Sequence, residues 1–116
     1  MHEYSLARAL IERVETEARA HRATTVHRLT VRIGPLAGVE RELFATAFRN
    51  CRSGTLCADA ALVIRDEEAV WRCEVCGEAI PAGSELCCPV CAMPARLAGG
   101  DSLVLERVEM EVLGDV

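Results

Sequence analysis

Aromatic residues are scarce in this chain. One Trp, one Tyr and two Phe make up 3% of a sequence that is 51% hydrophobic, so any core it builds is essentially aliphatic. Positive charge is also short. Thirteen basic residues against 18 acidic ones leave a net charge of −5, which argues against the basic, aromatic-studded face that a nucleic-acid partner calls for. No apolar run approaches membrane-spanning length, and Met1-His2-Glu3-Tyr4 lacks the apolar stretch of a signal peptide. Low-complexity tracts are missing, as are a Ser/His/Asp or Cys/His constellation and a Gly-rich phosphate loop, so nothing proposes turnover chemistry. The expectation is a non-enzymatic cytoplasmic protein with no nucleic-acid or membrane partner. At 116 residues it is one ordinary domain carrying at most a small insert.

Cysteine, by contrast, is plentiful: there are seven. Four fall in the stretch from Trp71 to Leu97, as Cys73-Glu-Val-Cys76-Gly77 and Cys88-Pro89-Val-Cys91, with eleven residues between the pairs. Each Cys-x-x-Cys places two sulfurs on one side of a tight turn, and Gly77 and Pro89 are residues such turns favour. Together they can close a tetrahedron of sulfur at ~2.3 Å from one zinc ion, with no open position. Two other readings compete. Two disulfides need an oxidising compartment and fit poorly with an odd thiol count. A redox Cys-x-x-Cys normally opens a helix beside a βαβ pattern, which neither pair does. Cys87, adjacent to Cys88, is left as a spare thiol, and Cys51 and Cys57 lie outside both pairs.

Hydrophobic periodicity organises the rest. Leu6, Ala7, Leu10, Ile11, Val14 and Ala18 form one stripe of a helix over residues 4–21, with Arg8, Glu12, Arg13, Glu15 and Arg19 on the solvated side. Residues 26–34 alternate as a half-buried strand, Leu29, Val31 and Ile33 inward and Arg28, Thr30 and Arg32 outward. A Gly34-to-Gly38 loop leads to a second helix over 40–51, where Leu43, Phe44, Ala47, Phe48 and Cys51 share a face and Glu40 complements the helix dipole. A strand over 61–66 follows. After a turn at 98–101, a long strand over 103–112 changes phase between Leu105 and Val108, which calls for a bulge near Glu106. The fold class expected is α+β: two helices on a small three-stranded sheet formed by residues 1–70 and 98–116, with a zinc-binding subdomain at 71–97 inserted.

The fold has no use for the first residues. Met1-His2-Glu3 sets an imidazole and a carboxylate beside a free amine. A histidine there can bind metal through its ring nitrogen together with deprotonated backbone amides. Such a nitrogen-rich tetragonal set suits Ni(II) or Cu(II) better than zinc.

Met1-His2-Glu3-Tyr4-Ser5, the Ile33-Gly34 strand end followed by Val39-Glu40, the paired Cys-x-x-Cys and the closing Leu-x-x-Val-Glu-Met-Glu resemble the HypA/HybF family of hydrogenase maturation proteins, essentially from end to end. The resemblance implies a nickel metallochaperone serving [NiFe]-hydrogenase, and in some members urease. Its Ni(II) site would involve His2, Glu3 and the acidic position Glu40, and a separate structural Zn(II) site would use Cys73, Cys76, Cys88 and Cys91. Implied partners are a HypB-type GTPase, the hydrogenase large subunit and, for some members, urease maturation proteins. One departure matters: some relatives carry histidines beside the knuckle cysteines, whereas this chain has none after His27. An exchange of histidine for cysteine at zinc is therefore not expected here. From another class, a zinc-ribbon adaptor binding protein or nucleic acid is the alternative, though Arg72 and Arg96 are few for a phosphate track. A thiol redox protein is the third.

Overall fold

The computed structural model describes residues 2–81 and 86–113. Helix α1, His2–Ala20, buries Ala7, Leu10, Ile11, Val14 and Ala18, the stripe its spacing dictates. It begins two residues before the expected start, because Glu3 supplies an acidic first turn and is itself buried. Arg22, at φ 59°, turns the chain back after Ala20, and its N–H bonds Arg19 O at 3.0 Å. Glu15 is not simply solvated, as its periodicity suggested. Its carboxylate accepts from Arg19 at 3.4 Å and also from the Leu56 backbone N–H at 3.1 Å.

Strand β1, Ala23–Ile33, is the centre of the first sheet. On one side it pairs in parallel with β2, Ala61–Asp66, and a parallel neighbour requires a crossover, which α2, Arg41–Cys51, provides. On the other side it pairs antiparallel with β6, Leu103–Val112. The pairing has three register shifts, and two of them set the facing of the core side chains. His27 is an extra residue between the pairs Val26–Met110 and Arg28–Glu109. Val26 and Leu29, three apart, therefore both point at the helices and are fully buried. Glu106 is the extra residue on β6, between Arg107 opposite Thr30 and Leu105 opposite Val31. This is where the change of phase placed it.

The core of Val14, Val26, Leu29 and Val31 is aliphatic except for Phe44 and Phe48, which fill its centre at 0% exposure. Helix α2 presents them there, while Leu43 is only half-buried. Thr30 was expected on the outer face of β1 but is also buried, at 9% exposure. That outer face carries charge pairs the sequence did not disclose. Arg28 meets Glu109 at 3.4 Å, Arg32 meets Glu106 at 2.9 Å and Glu67 at 3.5 Å, and Arg65 also reaches Glu106. The two arginines hold the Glu106 carboxyl below its ordinary range, Arg65 contributing most.

A second sheet holds the cysteine segment. Its order is β4-β3-β5, with β3 at Val70–Cys73, β4 at Ala79–Ile80 and β5 at Ala95–Gly99. Strand β5 runs on through Gly99, opposite Val70, so the turn expected over 98–101 starts later, at Gly100. Between the sheets the chain crosses twice, through residues 67–69 and 100–102. Here Gly34 N–H donates to Ser102 O at 3.0 Å, Leu36 N–H to Gly100 O at 2.8 Å and Glu67 N–H to Ile33 O at 3.0 Å. A Cβ on Gly34 would stand 2.1 Å from Gly100 O, which is backbone and cannot step aside. Gly34→Ala should therefore cost about 3 kcal/mol, read as a lower unfolding midpoint by circular dichroism. An unchanged midpoint would show that the crossing is looser than this.

Candidate metal centres

The two knuckles repeat one backbone design. Cys73 Sγ accepts from the N–H groups of Val75 and Cys76, both at 3.4 Å, and Cys88 Sγ accepts from those of Val90 and Cys91, again at 3.4 Å. Gly77 N–H donates to Cys73 O at 3.1 Å, and Ala92 N–H to Cys88 O at 2.8 Å. The residue closing each knuckle is left-handed: Gly77 at φ 75° and, at more strain, Ala92 at φ 57°. Cys73 and Cys88 are buried at 1% and 2% exposure, Cys76 is exposed and Cys91 half-buried.

All four sulfurs lie within 4.8 Å of one another, and Cys76 Sγ stands 3.7 Å from Cys88 Sγ. That is far beyond a disulfide bond at ~2.05 Å. It matches the roughly 3.8 Å edge of a tetrahedron whose centre is ~2.3 Å from each sulfur. The donor set therefore fits a closed four-thiolate ion. Its electrostatics ask for a cation. The Cys76 N–H, with that of Val75, brings the Cys73 thiol down to about 7, while the hydrogen bond with the Cys76 sulfur and burial push Cys91 up to about 12. Four thiolates cannot share this space unless a positive ion sits among them.

Among the described residues no other cysteine joins the cluster. Cys87 pairs through its backbone with Pro94, outside the tetrad. Cys57 is wholly buried, and burial, with Glu15 nearby, pushes its thiol up to about 11. Cys51 packs half-buried at the end of α2, against the core it was expected to join.

At the other end of the molecule, Glu3 ties two helix starts together. Its carboxylate accepts the Glu40 backbone N–H at 3.1 Å, and the His2 ring nitrogen Nδ1 is 4.0 Å from the same oxygen. The Glu40 side chain caps α2, accepting from Glu42 N–H at 3.4 Å and Leu43 N–H at 2.7 Å. The Glu40 backbone, 37 residues on from Glu3, is thus held beside the amino terminus while its side chain stays on the α2 cap; the His2 side chain is at 60% exposure and that of Glu3 at 12%. The Glu40 N–H bond, with Glu3's own N–H, lowers the Glu3 carboxyl below its ordinary 4.5. A lowered value means the tether is complete above the unfolded value and is lost as pH falls through the folded one. Sequence reasoning found these residues but not the tether. Glu3 next to the apolar stripe was the available signal, since an acidic side chain buried at a helix start needs a donor.

Fold and site together define a small α+β protein with a four-cysteine metal-competent insert and an amino terminus tied to the start of α2 through Glu3. The profile of the family described as "Hydrogenase/urease nickel incorporation, metallochaperone, hypA" matches residues 1–110. Hydrogenase maturation factor HypA of Wolinella succinogenes is 38% identical over 96% of this chain and 96% of its own length. The factor of the same name from Shewanella oneidensis is 35% identical over 99% of both. The solution structure of the Ni metallochaperone HypA from Helicobacter pylori superposes with a TM-score of 0.75 at 29% identity, covering 96% of this chain and 98% of that one. A second HypA solution structure gives 0.83 at 30% identity, covering 95% and 96%. The chain belongs to the HypA family of nickel-incorporation metallochaperones.

Proposed function

We propose that the protein carries Ni(II) on its amino terminus to a hydrogenase under maturation, and that zinc in the four-cysteine site holds the insert in shape. The observation that carries this reading is the exposed His2 ring beside Glu3, whose carboxylate holds the Glu40 backbone N–H at 3.1 Å, in a member of this family. The first amide N–H groups of a helix have no carbonyl partner four residues back. The His2 amide is therefore open to losing a proton and binding nickel beside the His2 ring, and the Glu3 amide, which now faces its own carboxylate, joins it by giving up that contact. Glu40 contributes more weakly, since its carboxylate must leave the α2 cap to reach a metal.

Loading and release both follow from this arrangement. A terminus with a few nitrogen donors at the surface takes up a divalent ion and can surrender it to a client, which a closed cage cannot. The partners consistent with the reading are a HypB-type GTPase and the hydrogenase large subunit, met in the cytoplasm. Hydrogenase is favoured over urease as client because the relatives cited are named for hydrogenase maturation. The protein acts as a carrier and not as an enzyme. Among the described residues, no helix is long and apolar enough to cross a membrane.

Nickel titration of untagged, zinc-loaded protein tests the proposal. One Ni(II) per chain should bind, with the spectrum of a tetragonal nitrogen-rich site; nickel taken up only by the cysteines would sink the reading. Glu40→Ala should weaken nickel by less than about tenfold and cost about 1 kcal/mol of fold stability through the lost cap. A complete loss of nickel in that variant would make Glu40 a principal ligand instead.

A further inference from the structure

A furrow with shared walls runs from the amino-terminal site to the second sheet. A cavity of roughly 670 Å³ lies along the start of α2, lined by Val39, Glu40, Arg41 and Glu42. Val39 and Arg41 also wall a second cavity, of about 180 Å³, that extends to Pro35 and Glu67. Pro35 and Glu67 in turn wall a third, of about 400 Å³, closed by Glu68, Trp71, Pro81 and Leu86. The furrow thus leads from Glu40 to the single tryptophan of the chain.

Its far end combines an apolar floor with unspent negative charge. Trp71 is half-buried on β3, and Pro35, Pro81 and Leu86 present apolar surface around it. Glu67 is committed to Arg32 at 3.5 Å, but among the described residues Glu68 is exposed and joins no ion pair. Arg41, a cation on the furrow wall, is spent on Asp66 at 3.1 Å. A cation arriving here would meet Trp71 and the Glu68 carboxylate together, and an aromatic ring and a negative charge each favour it. An anionic occupant would meet Glu68, and no cation stands among the described residues lining this end to offset the repulsion.

We propose that the Trp71 end of the furrow docks an extended segment of a partner protein in which a lysine or arginine is flanked by apolar residues. The cation lies on Trp71 and Glu68, and the flanking side chains cover Pro35, Pro81 and Leu86. The same segment leads along the furrow toward Glu40. That last clause rests on the nickel reading; the docking does not.

Because Trp71 is the only tryptophan, its fluorescence reports this groove alone. The probe is a short synthetic peptide of lysine alternating with valine and proline, compared with the same peptide carrying glutamate for lysine. The lysine peptide should shift Trp71 emission saturably, more weakly at high salt, and the glutamate peptide should not. Glu68→Lys should weaken the lysine peptide about tenfold while leaving nickel stoichiometry and the circular dichroism spectrum unchanged. A lysine peptide that gives no saturable shift, or that binds Glu68→Lys as well as the unaltered protein, overturns the docking site. Peptide binding that persists while nickel fails to bind overturns the carrier reading instead and leaves the docking site standing.

Discussion

His2→Ala should remove nickel binding at the amino terminus and leave zinc content and fold unchanged. The side chain is at 60% exposure and takes no part in the apolar stripe of α1, which begins at Leu6 and Ala7. Truncating it therefore opens no cavity. It does remove the imidazole, the one neutral nitrogen donor of a side chain in the cluster, and the remaining carboxylates of Glu3 and Glu40 are already occupied by backbone N–H groups. In the unaltered protein, nickel affinity should fall as pH drops, because protons compete with the metal for the nitrogen donors. Amide ligation adds to the slope, because binding must release protons. Competition titration across pH, with zinc measured in parallel, checks both statements. Nickel held equally well by His2→Ala would move the site elsewhere and end the mechanism proposed.

The second large effect belongs to zinc. Cys76→Ala should take zinc from one ion per chain to none and cost the second sheet its order, while α1 and α2 persist. Cys76 is the informative choice, since it is exposed whereas Cys73 and Cys88 are buried at 1% and 2%. Its replacement deletes a ligand without hollowing the interior. A structural four-thiolate zinc supplies about 10–16 kcal/mol of folding energy at neutral pH, far more than the short strands β3, β4 and β5 can provide from a few backbone bonds. Elemental analysis gives the stoichiometry, and amide exchange compares residues 71–81 and 86–97 with α1. Zinc retained by the variant, or four freely titrating thiols in the metal-replete protein, would refute the assignment.

Much of this was legible before any coordinates. The α1 stripe, the α2 face with Phe44 and Phe48, and the bulge at Glu106 all follow from period and phase, since each depends on neighbours in sequence. The sulfur cluster was legible for the same reason: spacing within a knuckle is local, and only the join between knuckles is not. What escaped was set by pairing across the fold. Nothing near Thr30 announces that charge pairs from β2, β6 and residue 67 would line its face. The bulge at His27 was invisible because Val26 fits an alternating strand equally well in either facing. The Glu3 tether depends on a backbone amide 37 residues away. Residues 82–85, Met1 and residues 114–116 lie outside the described structure, so the free amine weighed at Met1 has no geometry here.

The paired ends of the second sheet bear on how quickly the first one assembles. Strand β2 ends at Asp66 and β6 starts at Leu103, so β6 must reach its place beside β1 after a detour through residues 67–102. In the folded insert Val70 lies opposite Gly99, which brings the two arms of that detour together. The effective loop shortens roughly fivefold, and a flexible loop shortened that much saves about 1.5 kcal/mol of closure entropy. Metal captured early in synthesis would thus act as a folding accelerant for a sheet it never touches. The metal-free chain would refold more slowly, and its helices would still form.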